Sequence, residues 1–191
     1  MPYARIAGKR NTARGLALSE LAERQHGVVS YAQLLRLGMS SSGVGRAADA
    51  GRLQRIFHGA YAVGHKGIGE KGRLMAAVLA CGPGAVISHR SAGALLGLLD
   101  EGPAVIDVIA PPERGRKIDG IHFHRVRPPR LEERGTADGI PCTSPARTLV
   151  DLAGTVSTWT LRSCFERAAK GRILDVPAID AALDPRRRGA R

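Results

Sequence analysis

Hydrophobic positions recur at helical spacing early in the chain. Leu16, Leu18, Leu21 and Ala22 fall on one face of residues 16–25, with Glu20, Glu23 and Arg24 outward. Gly27 stops that helix, and Val28-Val29 reads as a short apolar link. Ser30 is placed to cap a second helix over residues 31–37, which buries Ala32, Leu34, Leu35 and Leu37 and ends at Gly38. After a tight turn at Met39-Ser40, Ser40 or Ser41 caps a third helix through about Ala50, closed by Gly51. Residues 52–56 alternate polar and apolar as an edge strand does, His58-Gly59 reads as a two-residue turn, and residues 60–63 form the returning strand. The order helix, helix, short turn, helix, hairpin is that of a winged helix-turn-helix.

Beyond a Gly- and Lys-containing linker the pattern changes. Helices are expected over 73–81 and 91–99, and strands over 85–88, 104–110 and 120–126. In the last of these Ile121, Phe123 and Val126 alternate with His122, His124 and Arg125, which predicts a half-exposed strand. A short strand over 139–143 leads to Ser144-Pro145, a helix cap followed by proline at the first helical position, where its missing N–H costs nothing. Helices follow over 145–153, 158–170 and 176–183, the last with Asp175 as its cap. The fold class is α+β, an N-terminal winged helix-turn-helix followed by a mixed α/β C-terminal domain. The expected layout is a basic arm over 1–11, a winged helix over 12–66, the mixed domain over 70–185 and a basic tail over 186–191. The arm reads first as a disordered terminus, and otherwise as a segment that touches phosphates or a minor groove.

Charge adds a partner to this picture. The 191-residue chain carries a formal net charge of +12. Residues 1–68 hold 10 Lys+Arg against 3 Asp+Glu, a net of +7, so the first third of the chain carries more than half of the excess. A basic excess on a helix-turn-helix points to nucleic acid, although a high-GC coding bias also inflates Arg. An α-helix fits the major groove and enters by its N-terminal end. That end is Ser40, Ser41 and Ser42, with Arg46 one turn in. Tyr31 and Gln33 open the preceding helix, and Arg52, Arg55 and His58 lie on or beside the wing. These nine residues are the expected contacts to double-stranded DNA. Arg125, Arg127 and Arg130 form a candidate second anionic contact.

Catalytic and metal chemistry find little support. Cys81, Cys142 and Cys164 are far apart, which suits neither a zinc site nor a disulfide framework. His122 and His124 share a strand face and with His89 could bind a metal, but no carboxylate is evident beside them, so they read as solvent-facing. Ser88-His89 lacks an orienting acid, and sequence neighbours seldom face each other productively. Asp107, Glu113 and Lys117 have the wrong spacing for a nuclease core. Arg147 is expected to pair with Asp151 one helical turn on. No metal, cofactor or enzymatic activity is expected. The free thiols, the lack of a signal peptide and apolar runs too short to span a bilayer suit the cytoplasm.

The run LLRLGMS (34–40) with GRLQRIFHGAYAV (51–63) resembles the N-terminal domain of the AbiEi antitoxins of type IV toxin–antitoxin systems. ISHRSAGALLGL (87–98) and GIPCTSPARTLVDLA (139–153) are similar to the family's actinobacterial branch. The resemblance covers roughly residues 15–185 and reaches no endonuclease-like extension of the kind many actinobacterial relatives carry. It implies a repressor that binds inverted repeats in its own promoter, as a monomer or weak dimer, through its third helix and wing. It also implies that the C-terminal domain counteracts a nucleotidyltransferase-like toxin. Two other readings stay open: a protein-binding antidote with little DNA role, and the DNA-targeting portion of an endonuclease-like protein. The sequence does not choose a role for His89 and Arg90.

Overall fold

The computed structural model describes residues 3–64, 67–111 and 117–183, with side chains described from residue 13 onward. The chain divides into two compact units, Met1–Ala80 and Cys81–Arg191.

In the first unit α1 (Tyr3–Arg24) precedes β1 (Val28–Ser30), α2 (Tyr31–Arg36), α3 (Ser41–Asp49), β2 (Leu53–Phe57), β3 (Ala60–Val63) and α4 (Glu70–Cys81), whose last residue falls beyond the division. Two expectations are corrected. The segment read as a loose arm is, from Tyr3 onward, the first turns of α1. Ala4, Arg5, Ala7, Lys9 and Arg10 are strong helix formers, and nothing but Gly8 interrupts them. The apolar link at Val28-Val29 is a strand. It pairs antiparallel with β3 through Val28↔Ala62 and Ser30↔Ala60 and completes a three-stranded sheet in the order β1-β3-β2.

Ala22, Val29, Leu34, Val44, Ala47 and Leu53 form the core of this unit. Ser30 caps α2 in a reciprocal capping box with Gln33. Ser40 caps α3 by accepting from the Gly43 N–H. In the hairpin, Arg55 pairs with Tyr61 and Phe57 with Ala60, so Ile56 is an extra residue in a β-bulge. The bulge breaks the simple alternation expected of β2, leaving Arg55 exposed while Phe57 turns inward. α4, expected to open the second domain, falls almost wholly within the first unit. At its start a Cβ on Gly72 would lie 2.8 Å from the His26 carbonyl oxygen, so only glycine permits that approach.

The second unit is built on a mixed five-stranded sheet in the order β6-β5-β4-β8-β7. Its strands are β4 (Val86–Ile87), β5 (Ile106–Ile109), β6 (Ile121–Phe123), β7 (Arg134–Ala137) and β8 (Ile140–Thr143). β5 runs parallel to β6 and antiparallel to β4, while β4 runs parallel to β8. β7 was not expected. Among the described residues it is an edge strand of alternating exposure that pairs with β8. The helices are α5 (His89–Leu95), α6 (Pro145–Ala153), α7 (Thr158–Lys170) and α8 (Val176–Leu183). Leu98, Leu149, Leu152, Cys164, Ala168 and Ile179 pack together between them. Ser144 caps α6 as expected, with Pro145 in its first turn, and the Asp175 carboxylate accepts from the Ala178 N–H at 3.0 Å.

Candidate nucleic-acid interface and a buried polar cluster

In the first unit Ser41, Ser42, Arg46, Arg52, Arg55 and His58 are all exposed. An open groove runs between α1, the start of α3 and the base of the wing. Its lining includes Arg14, Ser40, Gly43, Arg46 and Arg52. Sequence reasoning missed Arg14. The signal was its place four residues before Leu18 on the same helix, since i and i+4 share a face. The Tyr31 hydroxyl donates to Ser41 Oγ at 2.9 Å.

Two expected contact residues also have structural work. Gln33 Oε1 accepts from the Ser30 N–H at 2.7 Å, and its amide nitrogen donates to Gln25 Oε1 at 2.6 Å. Both ends of that side chain have partners within the unit, so Gln33, expected among the DNA contacts, holds the start of α2. Ser40 Oγ is the α3 cap and also lies 3.2 Å from Ser42 Oγ, so it shapes the helix start.

In the second unit a row of buried polar groups runs beneath α6. Arg147 Nε donates to Asp151 Oδ1 at 2.8 Å, the pairing expected, and its Nη1 lies 3.4 Å from Glu133 Oε2. Glu133 in turn receives two bonds of 2.8 Å from Arg127 and one of 2.7 Å from the Arg130 N–H. Arg127, expected in a second anionic contact, is therefore tied to Glu133. Arg125 of the same trio is exposed. Burial works against ionisation of Glu133, but the Arg130 N–H and the Arg147 and Arg127 charges outweigh it and hold its carboxyl below the ordinary value. At Asp151 burial wins over Arg147 and pushes the carboxyl up. Its Oδ2 has no hydrogen-bond partner among the described residues.

A second cluster lies on the sheet. Asp107 on β5 is the register partner of His122 on β6. His124 Nε2 lies 2.7 Å and His122 Nδ1 3.3 Å from Asp107 Oδ1. The histidines were read as solvent-facing with no carboxylate nearby. The parallel pairing of β5 and β6 supplies that carboxylate, and only His122 is well exposed, at 61%. Sequence alternation gave the face of each strand but not their register. Burial opposes ionisation of Asp107, yet the His124 hydrogen bond and charge outweigh it, so its carboxyl lies below the ordinary range.

Ser88 and His89 do face each other, contrary to expectation, with Oγ 3.0 Å from Nδ1. Both are buried, and burial together with His124 pushes the His89 imidazole down to about 4. A serine with no exposed surface beside so weak a base is not an accessible nucleophile. Glu113 of the nuclease-like trio lies outside the described residues, as does the tail at Arg186, Arg187 and Arg188.

Two family models match this arrangement, one on each unit. The model described as transcriptional regulator, AbiEi antitoxin, matches residues 17–64, and the AbiEi antitoxin C-terminal domain matches residues 84–165. The chain belongs to the AbiEi antitoxin family. It carries that family's two-domain layout, and its role is that of an antitoxin and DNA-binding regulator. The AbiEi-family regulators it matches are typically non-enzymatic. Among solved structures it is similar to the RV2827C protein from Mycobacterium tuberculosis, at 20% identity and a TM-score of 0.45. That match covers 90% of this chain and 77% of the other. No curated protein matches the chain. Among the described residues no helix is long and apolar enough to cross a membrane.

Proposed function

We propose that this AbiEi-family chain represses its own operon by setting α3 and the wing on duplex DNA at inverted repeats. On this reading its second unit counteracts a nucleotidyltransferase-like toxin. Arg46 reads a base edge in the major groove, Arg52 and Arg55 hold phosphates, and Ser41, Ser42 and His58 support them. One observation carries the reading: Arg46 and Arg52 line one open groove while Arg55 and His58 stand exposed on the adjoining wing. The net of +7 over residues 1–68 supplies the long-range attraction. Gly45 lies exposed next to Arg46 on α3. Gly45 has nothing within 4 Å of where a Cβ would stand, so that face is open to a close-fitting duplex.

The test is fluorescence anisotropy of the full chain on its own upstream DNA against scrambled DNA, across a salt series. Specific binding is expected to exceed non-specific by roughly a thousandfold or more. Arg46→Ala is expected to lose about 1–3 kcal/mol, selectively on the upstream sequence. Arg55→Ala is expected to weaken both DNAs alike and to lower the salt slope by about one. Equal, weak, steeply salt-dependent binding to both DNAs would refute the repressor reading and leave an antidote acting on protein.

A further inference from the structure

We infer that Asp107, His122 and His124 form a binding site for one divalent transition-metal ion of the zinc class. The inference concerns the second unit and is independent of DNA binding. It starts from backbone register. Asp107 and His122 are paired across β5 and β6, and His124, two residues on from His122, points to the same face of the sheet. One nitrogen from each ring and one carboxylate oxygen therefore converge, with all three atoms within 4.8 Å of one another.

The spacing suits coordination. Zinc bonds of about 2.0–2.2 Å at a tetrahedral angle place neighbouring donor atoms about 3.3 Å apart. His122 Nδ1 already lies 3.3 Å from Asp107 Oδ1. His124 Nε2, at 2.7 Å, must draw back by about half an ångström, which small side-chain rotations supply. The donor set is selective as well. Two imidazoles and one carboxylate suit Zn²⁺ and its neighbours, whereas Ca²⁺ and Mg²⁺ require mostly oxygen.

The surroundings fit a site with one open side. The Asp107 side chain is 9% exposed and that of His124 15%, while that of His122 stands at the surface. The Asp107 carboxylate is a buried anion whose side-chain hydrogen bonds come from these two rings, and a cation between them would complete its charge balance. His89 stacks on His124 with ring centres 3.4 Å apart and planes 9° apart, which fixes the plane of the ligand ring. His89 itself has a φ of +47°, a left-handed conformation that a non-glycine residue holds at some cost. Such strain concentrates where a side chain must be aimed. Lys117 and Arg125 line the cleft beside the histidines. Their charges oppose a bare cation, so micromolar rather than nanomolar affinity is expected.

The experiment uses the full chain stripped with a chelator and titrated with Zn²⁺ by calorimetry. Co²⁺ is added in parallel, because its visible bands report coordination number and ligand type. One equivalent bound at micromolar affinity is expected, with the intense visible bands of a four- or five-coordinate nitrogen and oxygen site. His122→Ala changes only an exposed side chain and should leave the circular dichroism spectrum intact. It is expected to weaken Zn²⁺ binding at least tenfold and to abolish the rise in Tm that Zn²⁺ gives the parent. Asp107→Asn, which keeps the shape of the carboxylate, should do the same. The inference is overturned by the weak spectrum of hexa-aquo Co²⁺, by sulfur-to-metal bands assigning the ion to a cysteine, or by undiminished binding in His122→Ala.

Discussion

Arg147→Met tests the interior of the second unit most sharply. The Arg147 side chain is 10% exposed and lies between the carboxylates of Asp151 and Glu133, each 8% exposed. Methionine replaces much of the buried stem, so the loss of charge dominates over any cavity. Removing one partner of a buried ion pair costs about 3–5 kcal/mol. Arg127 still holds Glu133 by two bonds, so the stranded charge is that of Asp151, and a loss near the low end, about 3 kcal/mol, is expected. The sign with pH follows from Asp151, whose carboxyl is raised in the folded state. A raised carboxyl favours the fold when protonated, and that contribution is lost as pH rises through the folded value. The deficit of the methionine variant should therefore be largest at neutral pH and shrink toward the ordinary carboxylate range. Because the fold already disfavours ionised Asp151, Asp151→Asn should stay within about 1 kcal/mol of the parent. The double variant should then recover most of what Arg147→Met loses. Urea unfolding by circular dichroism gives these differences, and amide exchange in β8 and α6 assigns them to the second unit. A loss under about 1 kcal/mol in Arg147→Met, or a double variant no more stable than that single one, would refute the reasoning.

Two further outcomes can be checked on the same material. Gln33→Ala should lower stability by about 1 kcal/mol through loss of the α2 capping box while leaving affinity for the upstream DNA unchanged at fixed salt; a loss of affinity in a variant that is still folded would place Gln33 among the DNA contacts. Glu133→Gln bears on the acid limb. The carboxyl is held below its ordinary value, so its stabilisation is present above that value and fades as pH falls through the lower folded one. The variant should show a flatter loss of stability in acid, measured by urea midpoints across a pH series.

How much could be read beforehand depended on whether the signal was local. α6, α7 and α8 were legible because Ser144 with Pro145, Gly171 and Asp175 mark their ends through bonds within one turn. The wing was legible because His58-Gly59 sits between two apolar-alternating segments, and Gly59 takes the positive φ that the turn needs. β7 was not, since Arg134–Ala137 offers no apolar alternation and exists only through its pairing with β8. Asp107 was placed on a buried strand but not beside the histidines, because which residue faces which across parallel strands is a property of register. Glu133 gave no sign that it would be buried between two arginines. The role of Gln33 was open to view: Ser30-Tyr31-Ala32-Gln33 is a capping-box spacing, and that local demand outranks a contact argued from its position at the helix start.

The two most specific stretches of the chain do different physical work, and this decides how variants should be read. In the wing stretch the charged residues Arg52 and Arg55 are exposed, so substituting them probes contact. In residues 139–153 the opposite holds. Ile140, Cys142, Thr143, Ala146, Arg147, Thr148, Leu149 and Leu152 are buried, and Thr143 Oγ1 meets Thr148 Oγ1 at 2.7 Å across the strand-to-helix corner. That stretch encodes a packed corner and an anchored ion pair rather than a surface. Loss of antitoxin activity in an Arg147 variant would therefore report first on the stability of the fold. Contact by the second unit has to be mapped with exposed side chains, such as Arg90, Arg125 and Trp159, whose replacement leaves the core intact.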